Sequence, residues 1–267
     1  MVSRTALDEL DIALLSATVY GVAEQATELG VKVASALRII ETAIERYGPS
    51  HVALSFNGGK DCTALMHMVR AVLYKHCLEH NLQSKPLVSL YILYKRSFPE
   101  VDEFVQRSVA RYDLDLVRLS GTMKQGLQSF KASHPDIRAI FVGIRRDDPH
   151  GSKLGFFAQT DADWPQFMRV NPILDWTFED IWSSIRQMGV HYCCLYDQGY
   201  TSLGDVDSTA RNPALLKHGK YQPAWTLVDN CLERSGRSSL STDGSSVLMV
   251  PGDSVADRDP ENESAKT

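Results

Sequence analysis

His51-Val52-Ala53-Leu54-Ser55-Phe56-Asn57-Gly58-Gly59-Lys60-Asp61 runs from a short apolar segment of strand length into a glycine-rich polar loop. Beyond it, Leu65, Met68, Val69, Val72 and Leu73 recur at helical spacing. A buried strand that turns on two glycines into a helix is a ready anion site. Gly58 and Gly59 let the backbone approach a phosphate closely. Amides at the helix start point at the anion, and the helix dipole adds to the attraction. Asn57 offers a donor to a phosphoryl oxygen, Lys60 a positive charge and Asp61 a carboxylate for Mg²⁺. The string is not G-x-x-x-x-G-K-[ST], because Gly58-Gly59-Lys60 is followed by Asp61. The competing reading is an ordinary strand-to-helix turn with Asp61 as its cap.

Outward from this loop the same alternation continues. Residues 87–93, 114–119 and 139–144 have strand character, and residues 101–112 and 123–132 have helical character. Strands alternating with helices predict an α/β fold, a doubly wound and mostly parallel sheet with flanking helices. Ligands then bind at the carboxyl ends of the strands, where each polar cluster of this chain falls. Upstream, residues 1–48 read as a helical extension, with Leu29, Val33, Leu37, Ile40 and Ile44 on one stripe and Gly48-Pro49-Ser50 as the stop. Residues 145–176 read as one long functional loop. Thr177-Phe178-Glu179-Asp180 has the form of a helix start. Residues 192–230 read as irregular. Residues 1–237 are expected to make a single domain, with 238–267 as a disordered acidic tail.

The charge is unevenly placed. The net value is −5, and residues 238–267 hold six acids and two bases, which leaves −1 for the rest. A nucleic-acid partner would call for a basic excess that is absent. No run approaches the roughly 20 apolar residues of a membrane span. The N-terminus carries acids where a secretory leader would be apolar. Cys62, Cys77, Cys193, Cys194 and Cys231 are odd in number and form no C-x-x-C, so a reducing, cytoplasmic setting is expected. Cys193-Cys194 reads as two buried thiols rather than a redox pair.

The loop resembles the signature S-G-G-x-D-S of the PP-loop ATP pyrophosphatases, with Phe56-Asn57 inserted after Ser55 and Cys62 in place of the final serine. Its N-G-G-K-D spelling is similar to the eukaryotic FAD synthases, which are related to PAPS reductases. Four more segments agree. Phe98-Pro99-Glu100 resembles the element after the second strand, which implies adenine contacts from the backbone of Tyr91 and Ile92. Gly143-Ile144-Arg145-Arg146-Asp147-Asp148-Pro149 resembles G-x-R-x-x-D-P, which implies Asp148 as the catalytic aspartate, with Asp147 as the alternative register, and Arg145 as a nucleotide or flavin contact. Residues 160–172 resemble the flavin-binding region, which implies Trp164 stacking on the ring, Asp161 as a polar anchor and Arg169 on the FMN phosphate. Glu233-Arg234-Ser235-Gly236-Arg237 resembles a C-terminal E-R-x-x-R element, which implies Arg234 and Arg237 as neutralisers of transition-state charge.

The resemblance implies small-molecule substrates, ATP and FMN, with FAD and pyrophosphate as products. Asn57, Asp61, Asp148, Arg234 and Arg237 are then the catalytic set. Ser55, Phe56, Gly58, Gly59, Lys60, Tyr91, Ile92 and Arg145 hold ATP, and Asp61 and Asp148 hold Mg²⁺. Two other readings remain open on the residues: a PAPS or APS reductase, and a non-catalytic flavin or nucleotide binder of the same fold. The reductase would want a nucleophilic cysteine in an E-C-G-x-H element, and Cys231 lacks that context.

Overall fold

The structure is a computed structural model that describes residues 11–93 and 96–238. The expected acidic tail after Ser238 and the first ten residues of the extension lie outside them.

The described residues build a six-stranded sheet. Its strands are Val52–Ser55 (β1), Leu87–Leu93 (β2), Leu114–Ser120 (β3), Ala139–Phe141 (β4), Phe157–Gln159 (β5) and Met168–Val170 (β6). The helices are Ile12–Ala23 (α1), Glu28–Tyr47 (α2), Lys60–Glu79 (α3), Pro99–Tyr112 (α4), Met123–Ser133 (α5) and Phe178–Gln187 (α6). The spatial order is β3-β2-β1-β4-β6-β5, parallel except for β5 against β6. The order reverses between β1 and β4. A crevice opens at the carboxyl ends of strands at such a switch point, and both polar clusters of the sequence follow these two strands.

Side chains alternate across the sheet and sort into two cores. Val52, Leu54, Ala139 and Phe141 join the larger one, with α1, α2, α3, α4 and α6. Ala53, Leu90, Ile140 and Val142 join the smaller one, with Leu127 and Phe130 of α5. The sheet is therefore covered on both faces, as the doubly wound reading requires. α3 is the central helix, and its residues are buried from Cys62 to Leu73 without a break. It holds the loop between β1 and α3 at a fixed place.

Local signals explain most boundaries. The expected start of α6 is present, with Thr177 and Asp180 capping each other across the first turn. α4 begins with Pro99 at its first position. Two expectations are corrected. The helical extension is broken at residues 24–27, where Thr27 Oγ1 accepts from Gly30 N–H at 3.0 Å and starts α2. A Cβ at Gly30 would lie 2.2 Å from Gln25 O, so the glycine permits the tight approach of the two helices' ends. The stretch 145–176 is more than a loop, because β5 and β6 extend the sheet beyond β4. Cys193 is buried but Cys194 is exposed, and both are free thiols. Among the described residues, no helix is long and apolar enough to cross a membrane.

Candidate active site

The phosphate-type loop is braced from below. Phe56 is fully buried, donates its N–H to Leu90 O at 3.0 Å and sets its ring against Phe104. Its side chain therefore anchors the loop, and any contact with a ligand falls to the backbone. Gly58 has φ +80°, and a Cβ there would lie 2.9 Å from Val105 Cγ2, so α4 packs directly on the turn. Asn57 Oδ1 accepts from Gly59 N–H at 3.0 Å and from the Cys62 thiol at 3.2 Å. That leaves the Asn57 amide nitrogen as the donor for a ligand. A Cβ on Gly143 would lie 2.8 Å from Cys62 N and 2.9 Å from its Cα. The end of β4 thus touches the start of α3, and this contact joins the two polar clusters.

Between them lies a buried ion cluster. Arg145, 1% exposed, places Nε 2.9 Å from Asp61 Oδ1 and Nη2 3.3 Å from Asp148 Oδ1. The same Nη2 donates to both oxygens of Glu233, at 2.8 and 2.7 Å. Lys60, also buried, donates to Asp61 Oδ2 at 2.9 Å and to Glu233, and its ammonium stands 5.3 Å from the Phe178 ring centre. Asp148 Oδ2 accepts from Arg145 N–H at 2.9 Å. Burial and then the Asp61 charge raise the Asp148 pKa above the ordinary carboxylate value. Burial pushes Asp61 the same way, but Arg145 and Lys60 outweigh it and hold Asp61 below that value. The two carboxyls are thereby set apart in acidity.

The structure changes two expected roles. Arg145 was expected on the nucleotide, but its guanidinium is buried behind the carboxylates and orients them. Lys60 faces the cleft, yet its charge is already shared by two carboxylates.

An open cleft lies over this cluster, lined by Ser55, Asn57, Gly59, Asp61, Gly143, Asp148, Tyr196 and Arg234 among others. The segment carrying Arg234 is stitched into the fold. Thr201 Oγ1 donates to Glu233 O at 2.5 Å, Asn212 Nδ2 to Leu232 O at 2.7 Å, and Ala210 N–H to Gly236 O at 2.8 Å. Arg237 lies over Gly204, where an added Cβ would come within 2.3 Å of its Nη2. Arg234 therefore reaches the cleft directly, and Arg237 sits beside Ser202 and Gly204 at its edge. Burial, then Arg234, lowers the Arg237 pKa.

The remaining predicted contacts lie apart from the cleft. β1 pairs with β2 as far as Leu90, so the backbone of Tyr91 and Ile92 runs on past the end of β1. Ile92 and Trp164 pack against the same smaller core on the α5 side. Trp164 sits in the turn between β5 and β6, half-buried, with Lys124 Nζ 5.8 Å from its ring centre. Asp161 O accepts from Trp164 N–H at 2.9 Å and shapes that turn. Arg169 was expected on the FMN phosphate. It is buried, and its Nη2 donates to Gln159 O at 3.0 Å, so it holds β5 to β6. A guanidinium committed to main-chain carbonyls is a poor phosphate reader.

Two residues were not singled out from the sequence. Glu233 was visible inside E-R-x-x-R, but its bond to Lys60 crosses 173 residues. Tyr196 is buried, and its hydroxyl accepts from Lys60 N–H at 2.8 Å at the start of α3. No local pattern marks it. Cys62 lines the cleft, but burial pushes its thiol up to about 12, which keeps it protonated.

Asp61 and Asp148 are the carboxylates beside the cleft that a magnesium ion brought in on a nucleotide would meet. Three of their four oxygens accept hydrogen bonds from Arg145 or Lys60, while Asp61 Oδ1, 2.9 Å from Arg145 Nε, is buried with no hydrogen bond. Among the described residues, no group of three or more His, Cys, Asp or Glu side chains could hold a metal ion.

Comparison with known proteins adds the family. Residues 51–211 match the family model of the phosphoadenosine phosphosulfate reductase domain. The chain is 42% identical over 220 residues to the "Probable FAD synthase" of Schizosaccharomyces pombe, covering 81% of this chain and 82% of that protein. It is 40% identical over 215 residues to the "Probable FAD synthase" of Caenorhabditis briggsae, covering 78% of this chain but 40% of that longer protein. The crystal structure of Candida glabrata FMN adenylyltransferase in complex with FAD and inorganic pyrophosphate superposes with a TM-score of 0.76 at 27% identity, over 85% of this chain and 96% of that one.

Proposed function

The chain belongs to the phosphoadenosine phosphosulfate reductase domain family and to its FAD synthase members, and on that footing we propose that it transfers the adenylyl group of ATP to FMN, giving FAD and pyrophosphate. The observation that carries this reading is the meeting of the Asn57–Asp61 loop, Asp148 and the Arg234 segment around one cleft.

The FMN phosphate is largely dianionic near neutral pH, since such a group has its second pKa at about 6. It attacks the α-phosphorus of ATP in line. One P–O bond forms to the FMN oxygen, the bond to the bridging oxygen breaks, and its electron pair leaves with pyrophosphate. The nucleophile is already ionised, so no general base is required. The protein's task is to bring two polyanions together and to offset the charge that builds as they react. In this proposal the Asn57 amide and the Gly58–Gly59 backbone orient the phosphates. Asp148 faces the phosphoryl groups at the cleft and orients Arg145 beneath them, and Arg234 and Arg237 neutralise the leaving pyrophosphate. Mg²⁺ would enter with ATP beside Asp61 and Asp148 and would offset charge on the phosphates. Adenine lies along the edge of Tyr91 and Ile92, and the flavin near Trp164 and Asp161. The free thiols fit a cytoplasmic location.

Incubation with ATP, Mg²⁺ and FMN tests this directly. The reading requires FAD and pyrophosphate in equal amounts. Pyrophosphate without FAD would point to another acceptor, and bound nucleotide without turnover to a binding protein.

A further inference from the structure

Glu233 is not explained by a catalytic role, yet it is the residue that closes the ion cluster. Its carboxylate accepts from Lys60 and doubly from Arg145. The cluster sets two cations, Lys60 and Arg145, against three carboxylates, Asp61, Asp148 and Glu233, so its formal charge is −1. That sign is wrong for the floor of a site that takes a triphosphate. Removing one carboxylate brings the floor to neutrality.

Of the three, Glu233 is the one built to leave. Asp61 belongs to the first turn of α3, and Asp148 is tied back to the N–H of Arg145. Glu233 arrives from a separate segment whose main chain is held independently, through the buried side chains of Thr201 and Asn212. The carboxylate can turn away while Arg234 and Arg237 keep their places. Lys60 keeps Asp61 when Glu233 turns away, but its side chain is 3% exposed and faces an aromatic ring, and a buried cation that loses one of its two carboxylate partners favours a replacement anion. Both Lys60 and Glu233 line the cleft.

We propose that Glu233 is an internal stand-in for a phosphoryl group: its carboxylate pairs with Lys60, and a phosphate of ATP or pyrophosphate exchanges with it there. The inference rests on the adenylyl-transfer reading above. It makes Glu233 a competitor of the ligand rather than a contact to it.

The test titrates inorganic pyrophosphate into the full chain and into Glu233→Gln by calorimetry. The variant keeps the shape and drops the charge. It should bind pyrophosphate about tenfold more tightly, which is about 1.4 kcal/mol. Equal or weaker binding by a folded variant overturns the proposal. Carbodiimide labelling of the wild-type chain, mapped by mass spectrometry, gives a second reading that needs no variant. Modification of Glu233 should rise when pyrophosphate is added, and no rise overturns the proposal. A wild-type chain that makes FAD but shows neither effect sinks the exchange alone. A chain that binds neither ATP nor pyrophosphate sinks the functional reading with it.

Discussion

Replacing Arg145 with methionine removes the hub of the ion cluster and leaves the cleft surface otherwise unchanged. Arg145 is 1% exposed and touches Asp61, Asp148 and Glu233 within 2.7 to 3.3 Å. Without it, three carboxylates share Lys60. Removing one partner of a buried ion pair costs about 3–5 kcal/mol. For a domain of this size each kcal/mol lowers the melting temperature by about 2–4 °C, so the loss should be roughly 6–20 °C. The pH dependence has a definite sign. In the wild type, Asp61 has a lowered folded pKa, so its stabilisation is present above the ordinary carboxylate value and is lost as pH falls through the folded one. In Arg145→Met, burial is no longer opposed by the guanidinium, and both aspartates titrate above the ordinary value. Their charge then destabilises the fold at neutral pH, and the penalty eases as pH falls. The gap between variant and wild type should therefore be widest near pH 7.5 and shrink toward pH 5. Thermal unfolding followed by circular dichroism across that range measures it. A loss under about 3 °C at pH 7.5, or a gap that stays constant with pH, would refute the view that Arg145 organises the carboxylates.

Asp148→Ala should lower turnover by at least about a hundredfold while near-ultraviolet dichroism stays native; near-normal FAD formation would remove Asp148 from the mechanism. Tyr196→Phe takes the acceptor from Lys60 N–H at the start of α3. It should cost about 1–3 kcal/mol of stability and raise the KM for ATP more than that for FMN, as steady-state kinetics can show. Trp164→Ala should weaken FMN binding about tenfold or more, as expected for loss of a stacking aromatic, and leave the ATP dissociation constant unchanged in a titration without FMN.

The parts of this molecule that could be read from sequence are those with strong local periodicity. β1, β2, β3 and the helices after them carry enough alternation or helical spacing to declare themselves. The Gly58–Gly59 turn and the Thr177–Asp180 cap do so through local backbone chemistry. β5 and β6 escaped because each is three residues long and gains its stability from pairing rather than pattern. The break before α2 escaped because its cause, a close approach at Gly30, is a contact between helix ends. Side-chain direction was the larger gap. Arg145 and Arg169 are both arginines in a phosphate-handling fold, and the chain places one inside a carboxylate cluster and the other on carbonyls of β5. Glu233 shows the same limit, since its partners Lys60 and Arg145 meet it only in three dimensions.

In the proposed reaction the α-phosphorus of ATP passes directly to FMN in this cleft. ATP labelled at the α-phosphorus, incubated with the chain, Mg²⁺ and FMN, follows that atom. The label should appear in FAD and none of it in pyrophosphate, with the transfer lost in Asp148→Ala. Label that remains in ATP, or that accumulates as AMP while FMN is unchanged, would contradict the claim.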